Sequence, residues 1–139
     1  MAKILIADDS AFMRKMLMDV LIESGYKDFS EAKDGNEVIR VLDKEKVNLI
    51  LLDVIMPDLD GMGVLEELQK RKDAGKFTPK VVIVSAVGQE EMVNKAKKMG
   101  VKTYIVKPFK EEEVVEAIKT ELEGTVESPF VIASDGSAS

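Results

Sequence analysis

Asn48-Leu49-Ile50-Leu51-Leu52-Asp53-Val54-Ile55-Met56-Pro57 is the stretch on which the fold turns. Four consecutive large apolar residues, with no polar alternation, read as a strand covered on both faces, since a half-solvated strand alternates. Such strands belong to parallel sheets, whose neighbours are joined by crossover helices. Working outward, similar runs occur at Lys3 to Ala7, Lys80 to Ala86 and Thr103 to Val106, with a weaker one near Asp28 to Glu31. Between the runs the apolar residues take helical spacing. Met13, Met16, Leu17, Val20 and Leu21 share one face ending at Ser24-Gly25, Val38, Ile39 and Leu42 mark a second helix, and Leu65 and Leu68 a third. Met92, Val93, Ala96 and Met99 mark a fourth closed by Gly100, and Val114, Val115, Ile118 and Leu122 a fifth closed by Gly124. The pattern is an α/β (βα)5 chain: a doubly wound, five-stranded parallel sheet with helices on both faces. In such a sheet the loops after the strands share one edge, and ligands bind there.

Composition narrows what that edge can do. The 139 residues carry 20 Lys and Arg against 26 Asp and Glu, a net charge of −6, so nucleic acid phosphates or an anionic membrane surface would repel the chain. There is no Cys and no His, which removes disulfides, thiolate or imidazole metal ligands and phosphohistidine storage on the chain itself. The opening MAKILIADD turns acidic too soon for a signal peptide, and no run of apolar residues is long enough to span a bilayer. A cytoplasmic protein is expected, with neither nucleic acid nor membrane as direct partner.

Each strand ends in a group able to do chemistry. Asp8-Asp9-Ser10 follows the first, Asp53 ends the third, Ser85-Ala86 ends the fourth, and Lys107-Pro108-Phe109 follows the fifth. Taken singly, Asp8, Asp9 and Ser10 read equally as helix caps, Ser85 as a small core residue and Lys107 as a surface charge. Asp53 is harder to explain that way, because buried-type residues flank it on both sides and a carboxylate there wants a partner. Three carboxylates crowded together cannot all stay ionised without a cation among them. With no His or Cys that cation must be hard, and the oxygen set suits Mg2+ better than a Ca2+ loop. Metal, ammonium and hydroxyl together are equipped to hold a phosphoryl group, with Asp53 as its nucleophile.

Other uses of the same architecture fit less well. A flavin phosphate needs an acid-free loop after the first strand, and Asp8-Asp9-Ser10-Ala11 would repel it. Gly61-Met62-Gly63 lacks the third glycine of a dinucleotide fingerprint and reads as a turn and helix start after Asp60. An Asp-nucleophile phosphatase would place its acid two residues beyond a nucleophile on the first strand, where this chain has Ser10.

In order and spacing, the acidic pair, the central DVIMPDLDG, Ser85-Ala86 and Lys107-Pro108-Phe109 resemble the receiver domain of two-component response regulators, over about residues 2 to 123. The resemblance implies a flavodoxin-like sandwich and a receiver domain over 1–123, followed by a polar tail over 124–139. It implies Asp53 as phosphoacceptor for a sensor histidine kinase, with Asp9, Asp53 and the Ile55 carbonyl on Mg2+ and Asp8 reaching the metal through water. It implies Lys107 pairing with the phosphoryl group, Ser85 moving its hydroxyl to it, Tyr104 turning inward in response, and a cis Lys107-Pro108 bond. Such a protein is a switch rather than a conventional enzyme, although it catalyses its own phosphorylation and slow dephosphorylation. The output face would run from about Gln89 to Glu123. Asp9 to Arg14 and Ser85 to Gln89 look like stand-alone chemotaxis regulators, for which a flagellar motor switch is a partner.

Ile55 and Val87 stand where related proteins often have polar residues, which predicts a long-lived phosphorylated state. A receiver-shaped module that is never phosphorylated, a phosphate sink, and the receiver part of a longer regulator stay open as alternatives. The last residues, Thr125 to Ser139, are rich in Ser, Ala and Gly and favour a disordered end or the start of a linker. Pro129 to Ala133 is apolar enough that a short added strand is the less favoured option.

Overall fold

Apolar runs and helical stripes close on each other as their periods require. The computed structural model describes residues 2–124 and 130–133. The elements, in order, are β1 (Ile4–Ala7), α1 (Ala11–Glu23), β2 (Phe29–Ala32), α2 (Gly35–Lys44), β3 (Leu49–Leu52), α3 (Gly61–Asp73), β4 (Lys80–Ser85), α4 (Glu90–Lys98), β5 (Thr103–Val106), α5 (Glu111–Glu123) and β6 (Val131–Ala133). The sheet order is β2-β1-β3-β4-β5-β6, and every pairing is parallel.

Alternation along the strands sorts the core into two layers. Leu5, Ile50, Leu52, Ile83 and Tyr104 face α2, α3 and α4 through Val38, Leu65, Leu68, Val93 and Ala96. Ile4, Ile6, Leu49, Leu51, Val82 and Ile105 face α1 and α5 through Leu17, Val20, Leu21, Val114, Ala117 and Ile118. Each fully buried Leu or Ile contributes about 1.5–3 kcal/mol relative to exposure. This is why β1 and β3, buried along their whole length, anchor the sheet.

Helix starts follow sequence chemistry. Ser10 accepts from the Met13 amide, Asp34 from the Glu37 amide and Asp60 from the Gly63 amide, at 3.2, 2.9 and 2.9 Å, and a cap of this kind is worth about 1 kcal/mol. At the other ends, Gly25 and Gly100 take φ of 91° and 94°, where a side chain would be strained. Gly124 also closes its helix, but at φ −67°, and there a side chain is excluded by the Thr120 carbonyl that a Cβ would strike rather than by backbone strain. Met16 sits at the solvent margin of the α1 stripe, with 39% of its surface exposed.

The strand count needs correction. The five expected strands form, and Val131–Ala133 adds a sixth along β5, so this part of the tail is not the disordered end that its composition favours. The physical reason is the open edge of β5. Its unpaired N–H and C=O groups are a template for any extended β-branched segment, and a reading of the tail by itself does not see that template. The rest of the tail expectation, residues 125–129 and 134–139, lies outside the described residues.

Candidate functional site

Three strands deliver the site by continuing their ladders one step past their ends. The Asp8 amide donates to the Ala32 carbonyl at 3.0 Å, the Asp53 amide to Ala7 at 2.9 Å, and the Lys107 amide to Ser85 at 2.9 Å. Asp8 follows Ile4 and Ile6 in alternation, Asp53 follows Leu49 and Leu51, and Lys107 follows Thr103 and Ile105. Their side chains therefore extend the same face of the sheet and converge at its carboxyl-terminal edge.

The convergence is close. Carboxylate oxygens of Asp8, Asp9 and Asp53 lie within 4.8 Å of one another. Asp8 is 2% exposed and Asp53 7%, whereas Asp9 is open to solvent. The Lys107 ammonium donates to Asp8 Oδ2 at 2.7 Å and to Asp53 Oδ2 at 3.0 Å. The other oxygen of each buried carboxylate accepts a backbone amide two residues on, from Ser10 at 2.9 Å and from Ile55 at 3.1 Å. Each carboxylate is thereby held in one orientation by its own loop.

Electrostatics follow from burial. Desolvation pushes the Asp8 carboxyl above its ordinary value, against the hydrogen bonds from Lys107 and Ser10 that act to lower it. Burial alone would lower the Lys107 ammonium, but the two carboxylates outweigh it and raise it, so Lys107 stays charged. Three clustered carboxylates against one ammonium, which only Asp8 and Asp53 touch, leave an excess of negative charge. That donor set fits a small hard cation, with Asp8, Asp9 and Asp53 as its holders.

Ser85 is fully buried at the end of β4, with its hydroxyl accepting the Val87 amide at 3.3 Å. Tyr104, on the adjacent strand, is also fully buried and donates its hydroxyl to the Val87 carbonyl, so the ring expected to turn inward only in response already points inward here. The structure thus ties Ser85 and Tyr104 to the same loop, Val87, rather than to Asp53 directly. Ile55 lies at the mouth, 58% exposed, and the Lys107-Pro108 bond is cis. Of the caps that a structural reading allowed, Ser10 is one, while Asp9 stays exposed beside the other two acids.

Two contributors were not legible as site residues. Arg14 donates from Nη1 to the Asp8 carbonyl at 2.7 Å and from Nε to Glu31 at 2.8 Å, bracing the loop that carries the acidic pair. Its only signal is a position six residues on from Asp8, one turn into α1. Gly61 lets the start of α3 lie directly on the backbone of β3's end: a Cβ there would strike the Asp53 carbonyl and come 2.7 Å from Val54 Cα. A glycine after Asp60 announces a turn, but not the chain it must fit against.

Burial also fixes a pH signature. Tyr104 is pushed up to about 12 by burial and then by the Asp53 charge. Tyr26 is pushed up to about 12 by burial and by donating to Glu123 at 2.8 Å. A phenol whose folded value is raised contributes stability that is fully present below the unfolded value, about 10, and lost as pH rises toward the folded one. These are the two tyrosines of the chain and there is no Trp, so tyrosinate absorbance reads them without interference. Spectrophotometric titration is expected to show no ionisation step near pH 10, with tyrosinate appearing only well above it as the fold loosens. A full two-tyrosine step near 10 in folded protein would contradict this.

Comparison with known proteins agrees with the geometry. The profile of the response regulator receiver domain matches residues 4–119. The chemotaxis protein CheY of Thermotoga maritima is 38% identical over 116 residues, covering 84% of this chain and 93% of that protein. CheY of Bacillus subtilis is 38% identical over 120 residues, 86% of this chain and 97% of its own length. Among solved structures, a chain of the CheX-CheY-BeF3-Mg2+ complex of Borrelia burgdorferi superposes with a TM-score of 0.76 at 30% identity, covering 86% of this chain and 87% of that one. Sheet order, acidic cluster, bridging lysine and these likenesses lead to one conclusion: the chain belongs to the response regulator receiver domain family and is related to the CheY chemotaxis regulators.

Proposed function

We propose that the chain is a phosphorylation-driven signalling switch whose phosphoacceptor is Asp53. The observation that carries this reading is the Lys107 ammonium shared between Asp8 and Asp53, 2.7 and 3.0 Å away, beside a third carboxylate within 4.8 Å. Such a cluster is a costly concentration of like charge unless it is used. An Asp53 oxygen attacks the phosphorus of a phosphohistidine on a sensor kinase. A P–O bond forms, the P–N bond breaks, and the departing imidazole nitrogen takes up a proton, leaving an acyl phosphate on the chain. Mg2+, when bound by Asp8, Asp9, Asp53 and the Ile55 carbonyl, supplies positive charge that eases carboxylate repulsion and offsets phosphoryl charge. Phosphorylation is accordingly expected to need Mg2+ and to be lost on chelation.

The chain's own groups then carry the signal. Lys107 exchanges a carboxylate partner for a phosphoryl oxygen, and the Ser85 hydroxyl, now accepting from Val87, turns to donate to another. Because the Tyr104 hydroxyl is held by the Val87 carbonyl, movement of that loop is felt by Tyr104 and β5. A shift of population from 1:99 to 99:1 needs about 5.5 kcal/mol of preference for the on state, which several charge-assisted contacts can supply. The receiver unit is residues 1–123, and its readout face runs from Gln89 to Glu123, through α4, β5 and α5. By analogy with the CheY relatives, the output is in chemotaxis, on a flagellar motor switch or a related protein. No helix among the described residues is long and apolar enough to cross a membrane.

The mouth of the site sets the lifetime of the signal. Neither Ile55, largely exposed, nor Val87 has a side chain that can orient an attacking water. The phosphorylated form is expected to hydrolyse slowly. Ile55→Asn and Val87→Glu each supply one hydrogen bond of about 1–1.5 kcal/mol, which corresponds to about a tenfold faster decay. The check is the first-order loss of phosphoprotein in each variant against the parent. Unchanged decay in both variants would show that the mouth does not control hydrolysis.

A further inference from the structure

The Gln89 to Glu123 face already has an occupant, which is part of the chain itself. Val131–Ala133 pairs in parallel with β5, Thr103 opposite Val131, Tyr104 opposite Ile132 and Ile105 opposite Ala133. The Val131 amide donates to the Lys102 carbonyl at 2.7 Å. Phe130 packs against the layer that contains Val93, Ala96 and Tyr104, with the Lys97 ammonium of α4 5.3 Å from its ring centroid. Ala133 packs on the opposite layer, against the α5 side. The segment therefore straddles β5, holding α4 on one side and α5 on the other.

Its hold is weak. The strand has three residues, Val131 is 45% exposed and Ile132 53%, and a groove of about 550 Å3 lies between it and α5, lined by Thr103, Glu116 and Thr120. A strand so short and so open to water is displaceable, unlike the interior strands, which are buried throughout. We propose that the β5 edge is a strand-acceptor site for an extended apolar peptide, and that Phe130–Ala133 is its tethered resident competitor. A partner that adds a parallel strand to β5, or covers residues 102–105, must displace this segment first. The partner chemistry that fits is the tail's own pattern: an aromatic residue followed by two β-branched residues and a small one. The inference rests on the reading of Gln89 to Glu123 as the output face.

The tether makes the competition strong without a strong contact, because it holds the segment at high effective concentration. The test uses full chains and a defined probe, a fluorescein-labelled peptide with the sequence of residues 128–135. Val131→Pro removes the amide that donates to Lys102, and Phe130→Ser unseats the ring from α4, so both variants free the edge by different routes. Both are expected to bind the probe at least tenfold more tightly than the parent chain. The Val131 amide of the parent is expected to exchange at least tenfold more slowly than in the free peptide. Equal probe affinity across the three chains, including no binding by any, would overturn the proposal, and so would a Val131 amide that exchanges as fast as in the peptide. Neither readout involves phosphoryl capture. Loss of the tail result leaves the Asp53 reading standing, and a chain that never takes phosphate leaves the peptide result intact.

Discussion

Lys107→Ala is expected to cost about 3 kcal/mol of stability at neutral pH, because it strands two nearly buried carboxylates whose shared partner is removed. The full range for breaking a buried pair is about 3–5 kcal/mol, and the lower end applies because the Lys107 side chain keeps 15% of its exposure. For a domain of this size that is roughly a 10 °C fall in melting temperature. Two further signs follow. Asp8 is already raised by burial with Lys107 opposing, so without the lysine it rises further. A carboxyl raised in the folded state is penalised as pH climbs above its unfolded value, about 4, so the loss is greater at pH 7 than in acid. Removing the competing ammonium also leaves Mg2+ as the remaining neutraliser, and Mg2+ at 100 times its Kd adds about 2.7 kcal/mol to either protein. Melting curves with and without Mg2+ at two pH values check all three points. A loss below about 1 kcal/mol, or Mg2+ stabilising the variant less than the parent at equal concentration, would mean that Lys107 is not the cation on which this cluster depends.

Gly61→Ala is the second large effect, although it adds one methyl group to a helix start. That methyl would overlap the Asp53 carbonyl and approach Val54 Cα to 2.7 Å. Both neighbours are backbone, and the Gly61 amide is held by the Val54 carbonyl at 2.8 Å, so neither side yields without moving the chain that carries Asp53. Overpacking usually costs about 1–3 kcal/mol, and the upper part of that range is expected where backbone must move. The displacement falls on the segment bearing the proposed phosphoacceptor, so phosphorylation should slow together with the loss of stability. Gly63→Ala separates the two, because the nearest atoms to the Cβ it adds belong to the flexible Leu59 side chain and the Asp60 carboxylate, not to backbone. Denaturant unfolding and phosphorylation rate, measured on both variants, give the answer. Equal behaviour of the two would show that the α3 start does not brace Asp53.

These two residues mark how far the sequence could be read. Asp53 and Lys107 were legible because each ends or follows an apolar run, and the parallel-sheet rule gathers all such ends at one edge. The five strands and five helices were legible for the same reason: full burial and helical spacing are local signals. Gly61 and Arg14 were not, since what they touch is brought beside them only by the fold. Tyr104 could be placed on β5 from its run, but its bond to the Val87 carbonyl joins β5 to the loop after β4 and has no trace in spacing. The sixth strand was the less favoured reading of the tail, for the opposite reason. Its three residues have a weak local signal, and what orders them is the unpaired edge of β5. The polar composition around them pointed elsewhere.

On the proposed function, the acidic cluster exists to put a phosphoryl group on Asp53. The most direct test is intact mass after incubation with a small phosphodonor and Mg2+, on the parent chain and on Asp53→Asn. A single added phosphoryl group is expected on the parent, lost with chelator and absent from the variant. A parent chain that stays unmodified where another receiver is phosphorylated, or an Asp53→Asn chain that gains the same mass, would contradict it.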